Sequence, residues 1–111
     1  MSTPLGLLAG TSLLNSDFLN SFDENVVSTD NGPVTIYRLP GLIAIQRHAG
    51  PDGYRPPHRI RHEAHFRVFD QFDVDRVLSI QSAGSLRESI SPGSFLLPDD
   101  FIQPWKVVTA F

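Results

Sequence analysis

The chain has 111 residues, 41% apolar, 10% aromatic and 19% charged, which suits one packed domain and is too short for two of ordinary size. Nine Lys and Arg against twelve Asp and Glu leave a net charge of −3, and the absence of cysteine excludes a disulfide framework, a thiolate zinc site, an iron–sulfur cluster and a cysteine nucleophile. No run approaches the ~20 apolar residues of a membrane span and the opening MSTPLGLLAG has no basic segment of a signal peptide, so a cytoplasmic protein with no membrane partner is expected.

Leu5 to Ala9 is an apolar run closed by Gly10-Thr11-Ser12, the pattern of a strand buried on both faces that enters a tight turn. Leu13 to Phe22 places apolar residues at 14, 18, 19 and 22 and supports one or two helical turns. Asp30-Asn31-Gly32-Pro33 is a turn signal between Val26-Val27 and Val34 to Leu39, which together read as a hairpin or meander. Leu42 to Gln46 is a further strand, delivering Arg47 and His48 at its end, and Ala49 to Pro57 reads as the least regular loop. Pro57 to Phe72 is the best helix, with Pro in the first turn and Ile60, Ala64, Val68 and Phe72 repeating at i+4. Phe66, Phe69 and Phe72 then serve packing. Val77 to Ile80 is another buried strand, Ser85 to Glu88 fits a capping box for a single turn, and Asp99-Asp100 after Pro98 read as turn residues.

Strands alternating with one clear crossover helix indicate an α/β fold with a mixed sheet of five or six strands and flanking helices. One helix is too little cover for strands of this kind, and Trp105 to Phe111 is an apolar, strand-like end. The expectation is therefore a single unit, residues 1–111, with no second domain, that is part of a larger fold completed by missing sequence, a second chain or a large oligomer interface.

Charge is unevenly placed. The segment before Arg38 carries only acidic groups, whereas Arg38 to His62 holds Arg38, Arg47, Arg55, Arg59 and Arg61 against Asp52 alone, with His48, His58 and His62 among them. Eight of the nine basic residues are Arg, whose planar fork suits small oxyanions, and the acidic balance without a basic stripe argues against a nucleic-acid partner. Gly10-Thr11-Ser12, Arg47-His48 and Ser82-Ala83-Gly84-Ser85 each follow a strand-like run, at the sheet edge where α/β proteins bind ligands, so they are candidates for one anion cradle. Each taken alone is an ordinary turn or surface pair.

The same three places resemble the nucleoside phosphorylase family, most closely its 5′-methylthioadenosine phosphorylase branch. Leu5 to Leu13 is similar to the family's opening strand and Gly-Gly-Thr-Gly-Leu phosphate loop, and Arg47-His48 to its Arg-His-Gly turn. Pro57-His58-Arg59-Ile60 with Ala64 resembles the family's Pro-His-x-Ile-x-x-x-Ala-Asn helix start. Ser82 to Glu88, Pro92-Gly93 and Pro98 to Ile102 resemble its Val-Gly-Ser-Leu-Arg-Glu, Pro-Gly-Asp and Pro-Asp-Gln-Phe-Ile run.

The resemblance implies a phosphorylase-type mixed sheet that is the N-terminal part of a three-layer α/β domain, and a pentosyltransferase that uses inorganic phosphate as co-substrate and no other cofactor or metal. Its substrate would be 5′-methylthioadenosine or a related purine nucleoside, and its assembly a homotrimer or another homo-oligomer. Thr11, Arg47 and His48 match the family's phosphate-binding residues, and Ser82 with Ala83 match the segment whose backbone lies against phosphate and sugar. Ala9, Ser12 and Ala49 stand where the family usually has Gly, and Gln81 lies near a usual hydroxyl position. The family's base-recognition residues fall in its second half, so a catalytically incomplete or assembly role is the alternative. His58, His62 and His65 at i, i+4 and i+7 of the expected helix have a metal-ligand spacing that reads more simply as a polar helix face or a subunit contact.

Overall fold

The computed structural model describes residues 3–105. Five strands form the main sheet: β1 (Leu5–Ala9), β2 (Asp23–Thr29), β3 (Gly32–Leu39), β4 (Leu42–Gln46) and β7 (Arg76–Ile80). Their order is β2-β3-β4-β1-β7, with β1 parallel to both β4 and β7 and the β2-β3-β4 meander antiparallel, so the sheet is mixed as expected. Two short strands, β5 (Ala49–Gly50) and β6 (Gly53–Tyr54), form a separate hairpin. The helices are α1 (Thr11–Leu14) and α2 (His62–Gln71), with 3-10 turns at Phe18–Ser21 and Pro57–Arg59. Among the described residues no helix is long and apolar enough to cross a membrane.

The core follows from strand alternation. Leu8, Val34, Ile36, Ile43 and Ile45 point to one face of the sheet, where Ala64, Val68 and Phe69 of α2 close over them. Each such apolar side chain contributes about 1.5–3 kcal/mol on burial. The other face is met by the segment after β1, since Leu13, Leu14, Leu19 and Phe22 border a cavity together with Tyr37 and Gln46. Gly6 sets how closely α2 approaches β1. A Cβ there would stand 2.9 Å from both Phe69 and Val74.

Four expectations change, the first being that β7, expected as a buried strand, lies last in the sheet order and is mostly exposed, with Val77 and Leu78 at 40% and 47%. The helix expected from Pro57 starts only at His62, because Ile60 (φ −66°, ψ 131°) and Arg61 (φ −91°, ψ 75°) leave the helical region and detach the Pro57–Arg59 turn. It ends with Asp73 in the left-handed conformation (φ 56°), a role more often given to Gly. Residues 49–57 are ordered by the β5–β6 hairpin, whose Pro51-Asp52-Gly53 turn puts Gly53 at φ 107°, a conformation glycine adopts without strain. Ser85 caps no helix; its hydroxyl accepts from the Arg87 amide (3.1 Å) and donates to the Arg87 carbonyl (2.8 Å), closing a local turn.

The basic cluster also disperses. The Arg38 guanidinium lies over the Phe72 ring (4.9 Å), Arg55 pairs with Asp52, and Arg61 covers Gly32 at the β2–β3 turn. Beyond β7 the described chain has no regular element, and Leu86, Phe95, Leu97 and Ile102 are almost fully exposed. Phe69 is buried, Phe72 partly so and Phe66 more than a third exposed, while Trp105 is exposed and 106–111 lie outside the described residues.

Replacing Gly6 by Ala should cost about 1–3 kcal/mol of stability, since α2 or its Phe69 ring must move away from β1; a denaturant melt of the variant checks this. A second expectation concerns His65, which is 6% exposed with no partner for Nδ1. Burial first, then the charges of His62, Arg55 and Arg47, push its pKa down from 6.5 to about 4. The unfolded chain therefore takes up this proton below about pH 6.5 while the folded chain does not, so stability falls between these two values by about 3 kcal/mol in all. Melts of the wild-type chain and His65→Leu over that range should differ by this slope.

Candidate anion site

Three strand ends meet at one edge of the sheet. Register places Ala9 of β1 between Gln46 of β4 and Ile80 of β7, so the turns that follow these strands leave from adjacent points. The ladder continues one step past the strands, with the Arg47 amide donating to the Ala9 carbonyl and the Gly10 amide to the Ile80 carbonyl, both at 2.9 Å. Loops at this edge are fixed by backbone pairing before any side chain contributes.

Gln46 braces the junction. It is buried, its Nε2 donates to the Gly10 carbonyl (3.1 Å), and its Oε1 accepts from the His48 amide (3.0 Å). One amide side chain therefore ties the turn after β1 to the turn after β4. The sequence signal was a single polar residue closing an otherwise apolar strand.

Thr11 and His48 come together here, and Arg47 leaves from the same sheet edge. The Thr11 Oγ1 lies 3.3 Å from His48 Nε2. The Arg47 guanidinium lies against Gly10, where a Cβ would run into both it and the Ile80 carbonyl, so this Gly is required by close approach. Arg47 Nη1 reaches Gln81 Oε1 at 3.4 Å, a weak contact, and its buried Nε has no partner. This leaves an arginine with donor capacity unused at the sheet edge that also carries the imidazole and hydroxyl pair. Fixed donors grouped in this way suit a small oxyanion.

Ser82 and Ala83 follow β7 at the same edge but are exposed, and no hydrogen bond among the described residues ties them to Thr11, Arg47 or His48. The β5–β6 hairpin was missed in sequence as part of the site. Its Tyr54 ring stacks on His48 (centroids 5.9 Å, planes 15° apart), while His48 Nδ1 lies 3.2 Å from the Arg55 carbonyl. Arg55 is held in turn by both Asp52 oxygens at 2.8 Å, and its hydrogen bond is the main reason the Asp52 carboxyl titrates below its usual range. The Pro-Asp-Gly turn was the available signal. His58, His62 and His65 do not share one helix, His65 is buried, and no three acidic or histidine side chains among the described residues are grouped to hold a metal ion.

Comparison with known proteins agrees with this fold. The family model described as the Phosphorylase superfamily matches residues 5–111. The S-methyl-5′-thioadenosine phosphorylase of Thermofilum pendens is 33% identical over 108 residues, which span 92% of this chain and 41% of that protein. A protein of Archaeoglobus fulgidus named "Probable 6-oxopurine nucleoside phosphorylase" is also 33% identical, over 96% of this chain and 45% of its own length. The chain thus spans less than half the length of these curated relatives. Among solved structures, a methylthioadenosine phosphorylase from Schistosoma mansoni in complex with tubercidin superposes with a TM-score of 0.67 at 20% identity, over 83% of this chain and 35% of the other, a likeness of fold. With its mixed sheet, its strand-end turns and this match along nearly its whole length, the chain belongs to the phosphorylase superfamily, where its relatives are nucleoside phosphorylases.

Proposed function

We propose that this chain supplies the phosphate-binding half of an enzyme that cleaves the N-glycosidic bond of 5′-methylthioadenosine or a related purine nucleoside, giving free purine and a (methylthio)ribose 1-phosphate. The observation that supports the reading is the contact of Thr11 with His48 at the shared ends of β1 and β4, beside a Gly10 against which the Arg47 guanidinium lies with its Nε unengaged. The names of the relatives support the reaction class, and they divide between methylthio and 6-oxopurine substrates.

In this reading a phosphate oxygen attacks C1′ of the ribose while the bond to the purine nitrogen breaks and its electron pair leaves with the base. Positive charge builds on the sugar in between. A phosphate held close to C1′ by Arg47 and His48 is at once the nucleophile and the counter-charge that lowers the barrier. Thr11 orients one phosphate oxygen through its hydroxyl. The backbone of Ser82 and Ala83, exposed at the same edge, would close the cradle on the sugar side. No metal or organic cofactor takes part, and the enzyme works in the cytoplasm as a homotrimer or another homo-oligomer.

A second reading has its own support. The near-complete exposure of Leu86, Phe95 and Leu97, with Val77 and Leu78 of the edge strand β7 at 40% and 47%, favours a chain that is catalytically incomplete until other sequence or another subunit covers this surface.

Purine release from 5′-methylthioadenosine, followed with and without inorganic phosphate, separates the possibilities. Release only with phosphate is expected of the complete enzyme; release without it would indicate a hydrolase. Activity confined to a version of the chain that includes any continuation of its reading frame would favour the incomplete-fragment reading. Within the active form, Arg47→Ala should cost ~2–4 kcal/mol in phosphate or transition-state binding with little effect on the thermal midpoint, and Arg47→Lys should recover only part, because a point charge cannot replace the fork. Steady-state kinetics in phosphate, beside a melt, measures both.

A further inference from the structure

The surroundings of His48 determine which ring nitrogen carries its proton. A backbone carbonyl can only accept, so the 3.2 Å contact with the Arg55 carbonyl holds the proton on Nδ1. Nε2 then carries the lone pair, and the Thr11 hydroxyl, 3.3 Å away, donates to it. The carbonyl is itself well anchored. The Arg55 amide donates to the His48 carbonyl at 2.5 Å, the Arg55 side chain is gripped by both Asp52 oxygens, and the Tyr54 ring lies parallel to the imidazole on its open face. The remaining side of the ring faces the turn after β1, where residues 11–14 of α1 carry no titratable group. The charged groups on the elements around His48 are Arg47 beside it and Arg55 with its partner Asp52.

We propose that the β5–β6 hairpin locks His48 in the Nδ1–H form, so that Nε2 meets the bound anion as an acceptor and the site prefers an oxyanion that still carries a proton. Tyr54 and Arg55 are then positioning residues acting through His48. Monohydrogen phosphate presents a P–O–H that donates to Nε2, while its other oxygens accept from Arg47 and from the Thr11 hydroxyl once that rotor turns. Sulfate has the same size and charge but no hydrogen at neutral pH. It can take the same position only when His48 acquires a second proton, because an oxygen lone pair opposite the Nε2 lone pair is repelled.

The proposal deepens the reading of this edge as a phosphate site, and its test has one arm that does not depend on that reading. Long-range proton–nitrogen correlation spectra of the isotope-labelled 111-residue chain, without any anion, should give the Nδ1–H pattern for His48. The double variant Asp52→Ala/Tyr54→Ala, with its amide spectrum as the check on folding, should move His48 toward a mixture of tautomers. In the second arm the same resonances are titrated with inorganic phosphate and with sulfate. At about pH 8 phosphate should bind about tenfold more tightly than sulfate, and the double variant should lose this difference. An Nε2–H or averaged pattern in the wild-type chain, an unchanged pattern in the folded double variant, or equal affinity for the two anions overturns the proposal. An Nδ1–H pattern with no response to phosphate upholds the lock and overturns the phosphate site.

Discussion

The position of β1 between two parallel neighbours is the constraint on which the rest of this molecule depends. Because Leu5 to Ala9 pairs in register with Leu42 to Gln46 on one side and Arg76 to Ile80 on the other, three chain segments far apart in sequence end in one row. A slip of one residue would turn Leu8, Ile43 and Ile45 away from α2 and would also part Gly10 from Arg47, so core and site are specified by one register. Gln46 makes the coupling concrete. Its amide is satisfied only when the turns after β1 and β4 are both in place, and an unpaired amide at that depth costs about 1–3 kcal/mol.

The site is built mostly from backbone and from neutral groups, and its charge is local. Five arginines between 38 and 61 look like one electropositive surface in sequence, yet Arg38, Arg55 and Arg61 are committed to an aromatic face, a carboxylate and a glycine turn. Arg59 is exposed on the Pro57–Arg59 turn, and Arg47 supplies positive charge at the sheet edge. Such an arrangement gives direction as well as attraction, because a guanidinium whose approach is defined by the absence of a Cβ at Gly10 has few alternative poses. The hairpin after β4 performs a similar service for His48, holding the ring by a stack on one face and a carbonyl at one nitrogen.

The sheet is unevenly covered. One face is closed by α2 with close contacts down to Gly6, whereas β7 leaves an unpaired edge with half-exposed Val77 and Leu78, followed by a segment rich in exposed apolar side chains. This agrees with a chain that spans less than half the length of its relatives, and it shows how the anion-binding edge can be complete in its own hydrogen bonds while the neighbouring surface is still open. Residues 5–50 carry nearly all of the buried core, with α2 as their lid.

Local pattern was enough for most of the elements. Apolar runs bounded by turn residues marked β1, β4 and β7, of which only β1 and β4 are buried, and Asp30-Asn31-Gly32 marked the β2–β3 hairpin, because apolar runs and positive φ leave residue-level traces. The start of α2 was misread because an i+4 repeat beginning at Ile60 says nothing about the backbone angles of Ile60 and Arg61, which the packing of the Pro57 turn decides. Thr11, Arg47 and His48 were legible as candidates from their place after strands, and resemblance sharpened them. The contact of Thr11 with His48, the bracing by Gln46, the clamp on His48 and the dispersal of Arg38, Arg55 and Arg61 were decided only by tertiary structure, since contacts across more than thirty residues depend on strand order and register, which no local spacing records.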